Sequence, residues 1–175
     1  YGDRLKLLDI KQWGCLQLGN GGGYFAGCEQ LTEVTANDTL DLTGTTNLDM
    51  AFAFCTNLRT ISNIEKWDVS HVTSMANMFY EAENFNQSLE LWDVSHVTDM
   101  SYMFAIAINF NQPLASWNVS QVTTMTNMFS FTLYFNQSLN SWDVAQVTDM
   151  SYMFYGASSF KQPLDNWDGS EGTDM

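Results

Sequence analysis

The sequence predicts an α/β repeat fold: a right-handed solenoid of about seven coils, each carrying a short parallel strand and a short helix. Three observations lead there. Trp67, Trp92, Trp117, Trp142 and Trp167 recur at 25 residues without a slip. In Leu89-x-x-Trp92-x-Val94, Trp and Val fall on one face of an extended segment and Asp93 on the other, the alternation of a strand. In Met100, Met103, Phe104 and Ala107 the apolar residues fall at i, i+3, i+4 and i+7, one face of two helical turns.

The remaining elements follow from carrying that register along the chain. Phe25-x-x-Cys28-x-x-Leu31 and Phe52-x-x-Cys55-x-x-Leu58 repeat at 27 residues and align with Phe79-x-x-Ala82-x-x-Phe85, which puts Trp13 and Leu40 in the slot of the later tryptophans. The chain therefore reads as one domain, 1–175. Residues 1–24 are an N-terminal cap and first irregular coil, 25–66 two coils of the 27-residue type, 67–168 four 25-residue coils, and 169–175 a truncated or frayed last coil in which Gly169 and Gly172 replace two valines. Thr98 reads as a helix N-cap, with Asp99 and Asp149 in the first turn suiting the helix dipole. One coil cannot bury its apolar face alone, so neighbouring coils must stack.

Composition narrows the partners. Lys and Arg total 6 against 20 Asp and Glu, a formal charge of -14 that repels nucleic acid and anionic membrane surfaces. No stretch approaches the ~18 apolar residues a membrane span needs. The N-terminus carries neither an initiator Met nor a signal-peptide core and reads as a fragment or mature form. Cys15, Cys28 and Cys55 imply neither a zinc site nor a disulfide framework. An enzyme needs a converged acid, base or nucleophile, and His71 and His96 are repeat equivalents without a unique partner, so the expectation is no catalysis.

Stacking turns every repeated position into a row. The Trp row and the row Met75, Met100, Met125 and Met150 read as core. Asn86, Asn111 and Asn136, each followed by Gln, read as amide ladders satisfying backbone groups. Cys28 and Cys55 occupy the slot later filled by Ala82, Ala107, Thr132 and Ala157, as small buried residues or as a disulfide. Asp68, Asp93, Asn118, Asp143 and Asp168 fall on the outer face, where like charges ~4.8 Å apart repel. Two readings offset this: a bound divalent cation such as Ca²⁺ on Asp68, Asp93 and Asp143, or a solvated edge whose carboxylates accept hydrogen bonds through Ser70 and Ser95.

Framework positions recur, and a working surface lies where units differ. After the apolar run the two middle units carry Ile106, Ile108, Phe131, Leu133 and Tyr134 where the others carry Glu, Gly or Ser. These five residues are the candidate partner-binding patch, for a protein or glycan ligand or for self-association. The acidic outer face is the rival surface, suited to a basic ligand.

The turn Phe52-x-x-Cys55-x-x-Leu58 resembles the Phe-x-x-Cys-x-x-Leu turn of BspA-like leucine-rich-repeat surface proteins, and Leu-x-x-Trp-x-Val stands in the place of their Leu-x-x-Leu-x-Leu. The units from Trp67 onward are similar to that family's Phe-Asn-Gln-Pro-Leu-x-x-Trp-Asp-Val-Ser-x-Val-Thr-x-Met-x-x-Met-Phe variant. The resemblance spans residues 25 to 168. It implies a leucine-rich-repeat solenoid and a non-catalytic cell-surface or secreted module for binding or adhesion. A structural spacer in a longer array is the alternative.

Overall fold

The destinations of the backbone N–H groups decide the architecture. The computed structural model describes residues 3–167, so Asp168 and the frayed-coil reading of 169–175 lie outside the described residues. Among them there is no α-helix: two single 3₁₀ turns, Arg4–Lys6 and Ile64–Lys66, and two parallel two-residue strands, β1 (Glu33–Val34) and β2 (Thr60–Ile61), are the regular elements. This overturns the α/β expectation. A leucine-rich-repeat solenoid of about seven strand-plus-helix coils is not what the chain forms.

The apolar run Met75–Phe85 shows why. Met78, Tyr80, Ala82 and Phe85 donate to the carbonyls three residues back, at 3.0–3.1 Å, which makes a run of tight turns. The intervening N–H groups of Met75, Asn77, Phe79 and Glu81 point sideways instead and donate to Asp99, Ser101, Met103 and Ala105 at 2.8–3.0 Å. Met100, Tyr102, Phe104 and Ile106 do the same to Thr124, Thr126, Met128 and Ser130. From Met75 to Ala82 every N–H is committed elsewhere, which leaves no i−4 ladder of the kind a helix requires. The geometry needs a left-handed residue at every fourth position: Asn77, Glu81, Tyr102, Ile106, Asn127 and Phe131 have φ of 55–60°. Each such non-glycine residue costs roughly 1–2 kcal/mol, set against a lateral hydrogen bond at the same residue.

The predicted N-cap is used differently for the same reason. The Thr98 N–H and hydroxyl both donate to the Thr73 carbonyl, at 2.8 and 3.1 Å, and Asp99 Oδ1 accepts from the Ser101 N–H rather than facing a helix end. The expected strand at Trp92–Val94 keeps its burial alternation, with Trp92 and Val94 buried and Asp93 exposed. Its N–H groups close local turns, Trp92 to Leu89 and Val97 to Val94. Parallel pairing of later segments is confined to single bridges, Ser74 with Asp99, Asp99 with Thr124 and Thr124 with Asp149.

Equivalent residues of successive segments meet in one core running from Trp13 to Met153. Met75, Met78, Phe79 and Ala82 are buried. Phe104 lies 4.0 Å, ring to ring, from Phe110 and 5.8 Å from both Phe79 and Phe129. Trp67, Trp92, Trp117 and Trp142 are buried and Trp167 half-buried; Trp67 stacks on Trp92 at 6.3 Å and Trp117 on Trp142 at 6.4 Å, and each indole Nε1 from Trp92 onward donates to a carbonyl 28 residues earlier, as from Trp117 to Leu89 at 2.9 Å. Where Leu40 interrupts the row, Trp13 meets Trp67 edge-on at 5.8 Å, and both their Nε1 atoms are buried without a partner among the described residues. The amides form the expected ladder: Asn86 Oδ1 accepts from Asn111 N–H and Gln112 Nε2, and Asn111 Oδ1 from Asn136 N–H and Gln137 Nε2, at 2.9–3.0 Å. Cys28 and Cys55 are buried free thiols; burial, with Cys28 beside it, pushes the Cys55 thiol up to about 12. In the same slot Thr132 is buried, its hydroxyl satisfied by the Phe104 carbonyl at 2.7 Å.

Candidate functional site

The left-handed positions turn their side chains outward along one edge of the turn run, and that edge carries rings. Phe131 and Tyr134 are exposed, at 44% and 58%, while Ile106, Ile108 and Leu133 are half-buried beside them. The lateral bonds bring these residues together: Ile106 N–H donates to Ser130, next to Phe131, and Tyr134 N–H to the Ile108 carbonyl. Phe131 then lies over Gly156, where a Cβ would stand 2.6 Å from the ring. Gly156 has φ of 72°, so both space and backbone call for glycine there.

The face extends beyond the five residues that unit-to-unit differences single out. Tyr155 meets Phe131 edge-on at 5.2 Å and Tyr152 meets Tyr155 at 5.9 Å; further along, Phe54 meets Tyr80 at 5.2 Å and Tyr80 meets Tyr102 at 6.3 Å. Tyr152 and Tyr155 are about three-fifths exposed, and Phe54 and Tyr102 are also exposed. A helical register hides this set, because it distributes Tyr80, Tyr102 and Tyr152 around a helix instead of along one edge. The available signal was asparagine and glycine in the two left-handed rows, Asn77 and Asn127 in one and Gly156 in the other, since both residue types tolerate left-handed backbone.

The aspartates sit on a different face and act locally. Asp68, Asp93 and Asp143 are exposed, and each accepts a hydrogen bond from the backbone N–H two residues on, at Ser70, Ser95 and Ala145. Among the described residues no three His, Cys, Asp or Glu side chains gather to hold a metal. A hollow of about 230 Å³ is lined by Asp41, Lys66, Asp68 and His71, and a second of about 350 Å³ by Ser70, His71, Thr73 and His96. No helix of the described residues is long and apolar enough to cross a membrane.

Serine hydrogen bonds, from the hydroxyl first and the backbone second, hold Asp68, Asp93 and Asp149 below the usual carboxylate range. A lowered folded-state value stabilises the fold above the unfolded pKa of about 4, and that contribution disappears as pH falls through the folded values. The thermal midpoint should therefore drop between pH 5 and pH 2, and the triple change Asp68→Asn, Asp93→Asn and Asp149→Asn should flatten the drop. An unchanged profile in the triple variant would show that these turns carry no pH dependence.

No curated protein and no solved structure matches the chain. Residues 46–167, more than half of the chain and the whole of the 25-residue units as described, match the family described as Mycoplasma protein of unknown function, DUF285, and the chain belongs to that family.

Proposed function

We propose that this chain is a non-catalytic binding module, cell-surface or secreted, that holds a protein or glycan ligand on its aromatic face. The observation that carries the reading is the gathering of rings on one edge in two groups, Phe54, Tyr80 and Tyr102 and then Phe131, Tyr155 and Tyr152, all exposed except the half-buried Tyr80. Aromatic side chains supply large contact area at low entropy cost, which is why they recur at binding surfaces. The resemblance of the Trp-Asp-Val-Ser-x-Val-Thr units to BspA-type surface proteins supports the location. A structural spacer is the second reading, favoured by the Thr46, Thr73, Thr98, Thr123, Thr148 ladder, in which each N–H from Thr73 onward donates to the preceding Thr carbonyl at 2.8–2.9 Å.

The two readings separate in one experiment. The wild type and Phe131→Asp are compared for solution mass, with and without calcium, and for binding to arrayed glycans and extracellular proteins. The binding reading expects at least one ligand or a self-association that Phe131→Asp weakens by about tenfold or more. Interactions that Phe131→Asp leaves unchanged would remove the aromatic face as the working surface.

A further inference from the structure

We propose that the aromatic face takes a cationic peptide segment, its arginine or lysine side chains laid on the open ring faces and held by flanking carboxylates. This rests on the binding reading and names its ligand class.

Ring geometry is the first support. In the core, rings stack nearly parallel, Phe104 on Phe129 at 7° and Phe85 on Phe110 at 2°, so their faces are consumed by each other. On the outer edge the pairs are perpendicular: Phe54 and Tyr80 at 82°, Phe131 and Tyr155 at 88°, Tyr152 and Tyr155 at 85°. An edge-on pair presents one ring's edge to one face of the other, which leaves further π faces in solvent. Those faces carry the negative side of the ring quadrupole and attract cations.

Charge is the second and independent support. Between Lys66 and Lys161 the chain contains no Lys or Arg, while it contains eight Asp and Glu. Among the described residues the one ion pair is Lys6 with Asp3, in the N-terminal segment. Among the described residues these carboxylates therefore form no ion pair, and Glu81 borders the ring face. Glu81 shares the left-handed row with Phe54, Ile106 and Phe131 and sits against the Tyr80 hydroxyl, Glu83 follows two residues later, and in sequence Asp99 and Asp149 each stand three residues before an exposed ring, Tyr102 and Tyr152. A second copy of the chain would bring the same negative charge to the face, and an anionic surface would be repelled. A cationic segment meets both the rings and the carboxylates.

The test measures binding of a fluorescent short oligoarginine peptide by anisotropy, with oligoglutamate as the control. Four proteins are compared: the wild type, Phe131→Ala with Tyr155→Ala, Tyr155→Leu, and the outer-face pair Asp93→Asn with Asp143→Asn. All the changes are at exposed positions, and thermal melts confirm folding. The wild type should bind oligoarginine and not oligoglutamate, the double alanine variant should lose about tenfold or more, and Tyr155→Leu, apolar but without a π face, should lose several-fold. The outer-face pair should stay within about twofold. Equal loss in the outer-face pair, or none in the ring variants, would mean diffuse charge attraction and overturn the proposal. Glycan or protein binding that needs the rings, without oligoarginine binding, would overturn it while leaving the binding reading intact. A chain that binds nothing through these rings loses both.

Discussion

Phe104→Ala should destabilise the chain by about 3–5 kcal/mol, a large share of the whole stability of a domain this size. The ring is fully buried and has ring neighbours on three sides: Phe79 and Phe129 at 5.8 Å along the row, and Phe110 at 4.0 Å within its own segment. Its backbone is also committed, because the N–H donates to Met128 and the carbonyl accepts the Thr132 hydroxyl. The surroundings therefore cannot close over a cavity without breaking lateral bonds, which places the cost toward the upper end of the usual range. Phe104→Leu, which keeps most of the volume, should cost appreciably less. Denaturant midpoints with an unchanged slope would report both. A cost below about 1.5 kcal/mol for the alanine variant would show that the segments on either side can slide together, contrary to a core fixed by the lateral bonds.

The same residue shows what the sequence reveals and what it conceals. Recurrence at 25 residues and the alternation around Trp92 identify the buried positions, and Phe104 is among them. Hydrophobic spacing does not say which backbone produces the burial. The set i, i+3, i+4 and i+7 is one face of a helix, and it is equally two interleaved four-residue series, Met100 with Phe104 and Met103 with Ala107, in a run of tight turns. Propensity does not break the tie, since Met, Phe and Ala all suit a helix. What decides it is non-local: each segment finds a neighbour's carbonyls in register, and lateral bonds replace the i−4 bonds. The candidate site was legible in the same partial way. Ile106, Phe131 and Tyr134 stand out because the units disagree there, whereas Tyr102, Tyr152 and Tyr155 join them only once the left-handed turns set them along one edge.

That choice of backbone makes opposite forecasts at Ile106. In a helix, glycine there would cost about 1 kcal/mol and proline about 3 kcal/mol. In the turn run Ile106 has φ of 60°, strained for a β-branched residue, and its N–H donates to the Ser130 carbonyl at 2.8 Å. Ile106→Gly relieves roughly 1–2 kcal/mol of strain, offset by glycine's unfolded-state entropy of about 0.5–1 kcal/mol and by lost contact of a half-buried side chain. The net effect should lie between neutral and a gain of about 1 kcal/mol, consistent with Gly156 at the equivalent position. Ile106→Pro should cost more than about 3 kcal/mol, because proline holds φ near −65° and deletes the lateral donor. Thermal melts of the two variants thus bracket a gap of about 3–4 kcal/mol whose glycine end carries the information. A glycine variant destabilised by a full kcal/mol or more would mean that Ile106 is not held left-handed, and with it would go the outward edge on which the aromatic face depends.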